Sequence, residues 1–145
     1  MRFMMFMIPK VYQPVEEGGD NAPAGFTPDA DMVEKMMKFN EKLAQAGVLI
    51  SLDGLHPLAA GARVAFGAGS PKVTDGPFVE SKEVIGGFWL INARSKEEVV
   101  NWARQCPAQT GDVIEVRQVF EMTDFPEDVQ KAADSAIVND ALAKS

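Results

Sequence analysis

Residues 3–8, Phe-Met-Met-Phe-Met-Ile, form an unbroken apolar run. Six residues are too few for a stable helix, and a strand without polar alternation has to be covered on both faces. The chain therefore needs a sheet in which this first strand is central, with protein on either side of it. At 145 residues the length suits one domain.

Two helices can supply the cover for one face. Thr27 is placed to cap the first and Pro28 to occupy its first turn. Asp29 and Asp31 put negative charge at the positive end of the dipole. Met32, Met36, Phe39 and Leu43 then recur at helical spacing, widened by Val33, Met37 and Ala44, while Glu34, Lys35, Lys38, Glu41 and Lys42 form the wet side. A methionine-rich stripe of this kind reads as core packing before it reads as a ligand groove. Gly47 is placed to end the helix. The second helix opens on Ser95-Lys96-Glu97-Glu98, a capping box in which Ser95 caps and Glu98 reaches back. Its apolar side is Val99, Trp102, Ala103 and Cys106, and Pro107 stops it.

Between and after the helices the pattern is that of strands. Residues 48–52 read as a buried strand, residues 63–66 and 72–74 as a hairpin, residues 84–91 as a strand, and residues 113–120 as the last one. Gly86-Gly87 inside a strand predicts a bulge or a close approach by another backbone. Residues 9–26 are rich in glycine and proline and lack any period, so they form a long loop, either a lid or a partly disordered segment. Residues 127–143 suit a short helix with Val129, Ala133 and Ile137 on one side.

The order β-α-β-hairpin-β-α-β predicts an α+β domain over residues 1–121. It is a ferredoxin-like βαββαβ fold with an inserted β-hairpin, followed by a tail at 122–145. Helices on one face leave the other face of the sheet bare, and a two-fold homodimer with facing sheets is the economical cover.

Composition closes off several function classes. A hydrophobic fraction of 46% with 24% charged residues does not describe a disordered chain. The formal charge, 14 − 21 = −7, should repel phosphate backbones, so no nucleic-acid partner is expected. No apolar run approaches the ~20 residues of a membrane span, and the short opening run lacks a cleavage site, so no membrane partner and a cytoplasmic location are expected. One cysteine, Cys106, allows neither an internal disulfide nor a thiolate zinc cluster. One histidine beside Asp53 lacks the ligand set of a zinc site, so neither metal nor cofactor is expected.

Val73-Thr74-Asp75-Gly76-Pro77-Phe78-Val79-Glu80-Ser81-Lys82-Glu83, followed by Ile85-Gly86-Gly87-Phe88, resembles the signature of the YCII-related family, in the branch named for its Asp-Gly-Pro-Phe tetrapeptide. Gly54-Leu55-His56-Pro57, the Trp102-Ala103…Cys106-Pro107 helix end and Glu115-Val116-Arg117 follow in the same order. The resemblance covers residues 1–121 and implies a dimeric α+β barrel. In the related YCII branch a His-Asp pair is suspected of catalysis.

His56 is the only histidine in the chain, and imidazole is the side chain that ordinarily titrates near neutrality. Asp75 can orient that imidazole, or serve as the turn residue ahead of Gly76. Glu80, Lys82 and Glu83 form a charged loop that either meets a polar ligand or is simply solvated. Arg63 and Arg117 suit a substrate carboxylate or an internal ion pair. Phe78, Phe88, Trp89 and Met5 suit a pocket wall. Two functions follow. One is a cofactor-free enzyme in which His56 and Asp75 move a proton on a small polar or aromatic molecule. The other is a non-catalytic dimer that binds or reports a small ligand.

Overall fold

The computed structural model describes residues 1–76 and 83–145. Among the described residues six strands and four α-helices follow one another: β1 (Arg2–Ile8), α1 (Ala30–Gln45), β2 (Leu49–Gly54), β3 (Ala62–Ala65), β4 (Lys72–Asp75), β5 (Gly87–Asn92), α2 (Lys96–Ala103), β6 (Val113–Gln118), α3 (Glu127–Ala133) and α4 (Ala136–Ala143). The main sheet has the order β2-β5-β1-β6 and every pairing in it is antiparallel. This is the ferredoxin-like arrangement, with β3 and β4 forming a separate two-stranded hairpin. Within the single chain the sheet is open.

The run at 3–8 does become an inner strand. Phe3, Met5 and Met7 point to the helices and are buried with Trp89 and Ile91 of β5, Phe39 and Leu43 of α1, and Val99 of α2. The alternate residues face the other way. Met4 lies opposite Leu90 and Phe6 opposite Phe88, and these four form a half-buried apolar patch. Arg117 and Glu115 of β6 flank the patch, opposite Met4 and Phe6.

Several local readings shift in the folded chain. Helix α1 begins later than Thr27-Pro28 suggests, because the Asp29 carboxylate accepts the Met32 amide at 2.8 Å and caps it. Gly47 does follow its end with φ +70. The Ser95 hydroxyl caps α2 by accepting the Glu98 amide, but the Glu98 carboxylate reaches one residue further back, to the Arg94 amide at 2.9 Å. Strand β2 is an edge strand and most of its residues are exposed, where an apolar run suggested full burial. The irregular pairing lies on β2 between Leu49 and Ser51, and Gly86-Gly87 serves close approach instead. A Cβ on Gly87 would stand 2.9 Å from the Asp53 carbonyl oxygen, and one on Gly86 would stand 2.6 Å from the Pro9 ring. The tail forms two helices where one was expected, with Ile137 84% exposed.

The glycine- and proline-rich loop is a structured strap. Two short 3-10 turns, Lys10–Tyr12 and Val15–Glu17, shape it. Asn21 donates to the Gln13 carbonyl and Ala22 to the Val11 carbonyl, so the strap doubles back on itself. Gly19 sits so close to Gln13 that a Cβ would fall 2.1 Å from its carbonyl oxygen. Gln13 is the clasp. Its buried side chain accepts the Val84 amide at 2.9 Å and donates to the Val84 carbonyl at 3.0 Å and the Pro9 carbonyl at 2.7 Å. A primary amide thus pairs with a backbone as a neighbouring strand would.

Gln13→Ala leaves both Val84 groups buried without partners, which costs about 1–3 kcal/mol. Urea unfolding should show a lower midpoint at unchanged slope, with faster hydrogen exchange at Asn21 and Ala22. The exposed substitution Val33→Ala should change stability by no more than about 0.5 kcal/mol. Equal effects from the two would remove the clasp.

Candidate functional site

The strap, the first half of α1, the ends of β2 and β5, and the turn at 107–112 enclose a cavity of about 300 Å³. Each wall has a local cause. Met32, Met36 and Met37 lie on the side of α1 that looks past the sheet edge, and unbranched thioethers fill such irregular space well. Phe39 and Leu43, one and two turns further on, are core. The methionine stripe therefore divides, its first half lining a cavity and its second half packing the sheet.

Tyr12 and Phe26 come from the strap and meet edge to face, with ring centroids 5.8 Å apart. The Tyr12 hydroxyl donates to the Leu55 carbonyl at 2.8 Å, joining the strap to the end of β2. Burial raises the Tyr12 phenol above its ordinary value, so it stays a protonated donor through neutral pH. Trp89 forms the floor. Its ring meets Phe39 edge to face at 5.8 Å, and its indole N–H donates to the Asn40 carbonyl oxygen at 2.7 Å.

Polar groups are few and lie mainly at the mouth. Asp112 is held by its own neighbourhood, accepting the Lys10 amide at 2.9 Å and the Gln109 amide at 2.8 Å. Asp53 is exposed on β2. No Lys, Arg or His is among the described residues that line the cavity. Among the described residues no three of His, Cys, Asp and Glu converge as a metal site would require.

The residues singled out in the sequence fall in different places. Trp89 lines the cavity; Met5 is fully buried beneath it in the core. Phe88 lines it as well, and also belongs to the half-buried patch on the far face of the sheet. His56 follows β2 and Asp75 ends β4; both are exposed, and no hydrogen bond joins them. The end of β4 does pack against the segment after His56, since a Cβ on Gly76 would stand 1.8 Å from the carbonyl oxygen of Leu58. The Gly76 amide donates to the Gly61 carbonyl at 2.8 Å, which closes the base of the hairpin. Arg63 stands on β3 opposite Thr74, and Glu83 is exposed. Arg117 lies on β6 opposite Met4. Phe78, Glu80 and Lys82 lie outside the described residues.

Asn40 and Tyr12 were not among the residues that sequence reasoning selected. Asn40 carried a signal: it stands four residues after Met36 and three before Leu43, a polar side chain on an apolar stripe. Tyr12, in a segment without period, carried none.

The YCII-related domain matches residues 1–123 of the chain. An uncharacterized protein of Rhizobium meliloti (strain 1021) is 36% identical over 76 residues, which make up 52% of this chain and 61% of that protein. The match thus spans about three fifths of the relative's length.

Behind the cavity wall, the Cys106 sulfur lies 3.9 Å from the Met36 sulfur. Burial, with a smaller contribution from Asp112, pushes its thiol up to about 11. The folded state thus favours the neutral thiol, whereas the unfolded chain ionises it near its ordinary value of about 8.5. Cys106 therefore stabilises the fold below that pH, and the contribution is lost as pH rises toward 11. Iodoacetamide at pH 8 should alkylate the native protein at least about tenfold more slowly than the urea-unfolded chain. Equal rates would show that the thiol is not shielded.

Proposed function

We propose, taking as premise that the chain belongs to the YCII-related family, that it is a homodimeric binding protein for a small, mainly apolar molecule held in the cavity between the strap and α1. The observation that carries this reading is the cavity. It lies at the small end of the range for small-molecule sites, it is walled by methionines and aromatic rings, and a few polar groups interrupt it. A folded chain does not ordinarily leave so much apolar surface around empty space beside a close-packed core.

The homodimer is supported by the far face of the sheet. Met4, Phe6, Phe88 and Leu90 form a contiguous apolar patch, bordered by a charge of each sign at Arg117 and Glu115. A two-fold axis through such a face sets apolar against apolar. Membership of the Asp-Gly-Pro-Phe branch is part of the same proposal, resting on residues 75–78.

Acid–base catalysis by His56 and Asp75 is the second reading. What favours it is the packing of Gly76 against Leu58, which brings the end of β4 to the segment that carries His56. Both side chains are exposed, so a bound molecule or a partner subunit can reach them.

A neutral environment-sensitive dye such as Nile red should bind the wild type with a blue-shifted emission. Met32→Trp, which fills the cavity from α1, should weaken that binding at least about tenfold. The protein should sediment at twice the 15.7 kDa chain mass. Unchanged binding in Met32→Trp would move the site elsewhere, and a monomer would remove the facing sheets. For the second reading, any small molecule that the cavity binds is incubated with wild type and with His56→Ala and followed by mass spectrometry. Conversion by the wild type that falls at least about 10²-fold in the variant supports catalysis. Binding without conversion in both proteins opposes it.

A further inference from the structure

The floor of the cavity holds one hydrogen-bond donor that the fold leaves unused. An indole N–H can only donate, so the Asn40 atom that faces it at 2.7 Å is the carbonyl oxygen. That contact fixes the amide, and the Nδ2 group therefore points away from Trp89. Asn40 is 8% exposed, and among the described residues its Nδ2 has no hydrogen-bond partner. No fully buried side-chain nitrogen or oxygen among the described residues lacks a partner, so Nδ2 is not sealed inside the core. The open space beside Asn40 is the cavity that it lines.

A donor this buried selects strongly. A ligand with an accepting oxygen at that point completes the amide's hydrogen bonding. A ligand of the same shape without it strips water from Nδ2 and gives nothing back. The mouth adds a second selection. Asp53 and Asp112 are carboxylates, the described lining residues include no cation, and the chain carries a net charge of −7. An anionic ligand would be repelled on entry and would find no counter-charge among the described lining residues.

We propose that the cavity selects a neutral, mainly aromatic or aliphatic molecule bearing a carbonyl-type oxygen, and that the Asn40 Nδ2 amide is the group that reads that oxygen. This rests on the reading of the cavity as a small-molecule site. Asn40 acts here as a specificity determinant. Trp89 is the positioning residue that holds the amide in the orientation required.

Three probes of similar outline test the inference: 2-acetylnaphthalene, its olefin counterpart 2-isopropenylnaphthalene, and 2-naphthoate. The intact protein should bind the ketone at least about fivefold tighter than the olefin, and the carboxylate most weakly. Asn40→Leu should bring the ketone and olefin within about twofold of each other, chiefly by weakening the ketone. Trp89→Phe, which keeps the donor but releases the amide to turn, should leave a ketone preference between that of the wild type and that of Asn40→Leu. In the wild type the side-chain NH2 resonance of Asn40 should shift with the ketone and stay in place with the olefin; this readout holds even where Asn40→Leu does not fold. Ketone and olefin binding equally well to the wild type would overturn the inference while leaving the cavity a small-molecule site. A ketone preference that survives Asn40→Leu, or tighter binding of the carboxylate, would overturn it as well. Failure of all three probes to bind would overturn the small-molecule reading, and this inference with it.

Discussion

Three stretches of backbone meet at Gly86-Gly87, and the rest of the site depends on that meeting. The Gly86 amide donates to the Met7 carbonyl at 2.8 Å, and its own carbonyl accepts the Leu55 amide at 2.9 Å. The Pro9 ring and the Asp53 carbonyl close in on the two α-carbons at distances that a side chain could not occupy. The end of β1, the end of β2 and the start of β5 are thereby pinned at one point. From that point the strap departs at Pro9, the floor begins at Trp89, and the segment bearing His56 leaves β2. A methyl group at either glycine would have to push a strand or the strap aside, and the cavity between them would change shape.

The strap illustrates how a segment with no regular structure is held over a cavity. Its apolar side chains Val11, Tyr12 and Phe26 line the cavity, and polar contacts tie it to the sheet. The Gln13 amide imitates a backbone partner for Val84, the Tyr12 hydroxyl grips Leu55, and the Lys10 amide is fixed by Asp112. Each contact links residues more than forty positions apart in sequence. Arg2 and Glu121 perform a similar service at the far end of β1, through a two-pronged ion pair at 2.8 and 3.0 Å. Arg2 holds the Glu121 carboxyl below the usual carboxylate range, so that tie weakens as acid protonates it. The strap is thus held over the cavity by hydrogen bonds that the protein itself supplies.

Much of the fold was legible in the chain because its determinants are local. Capping by Ser95, the stop at Gly47 and the two-stranded hairpin rest on residues a few positions apart. The shifts in helix capping were also local choices, between near neighbours. Asp29 took the cap that Thr27 could have taken, and Glu98 found the Arg94 amide one residue beyond the expected one. The candidate site was less legible. Trp89 was selected as a wall and does line the cavity, whereas Asn40 was passed over because a single polar residue on an apolar stripe gives no hint of which partner satisfies it. Met32 and Met36 read as core because periodicity reports which side of a helix is apolar, and not whether a neighbour fills the space beside it.

The amino-acid sequence alone determined the α+β order of elements and the inner position of β1. An apolar strand without alternation has no stable place at an edge, and two amphipathic helices can cover only one face of a sheet. It also marked Gly86-Gly87 as a bulge or a point of close approach, and the fold decided for close approach, since only glycine leaves room for other backbone at that distance. The tertiary structure decided everything that depends on distant segments arriving together. Those decisions include the edge position of β2, the closure of the strap by Gln13, the division of the α1 stripe into core and cavity, and the pairing of Asn40 with Trp89 across 49 residues. The physical reason is that a hydrogen bond or a cavity belongs to a spatial arrangement. Sequence pattern sets which face of each element seeks cover, and the packed fold sets which groups meet there.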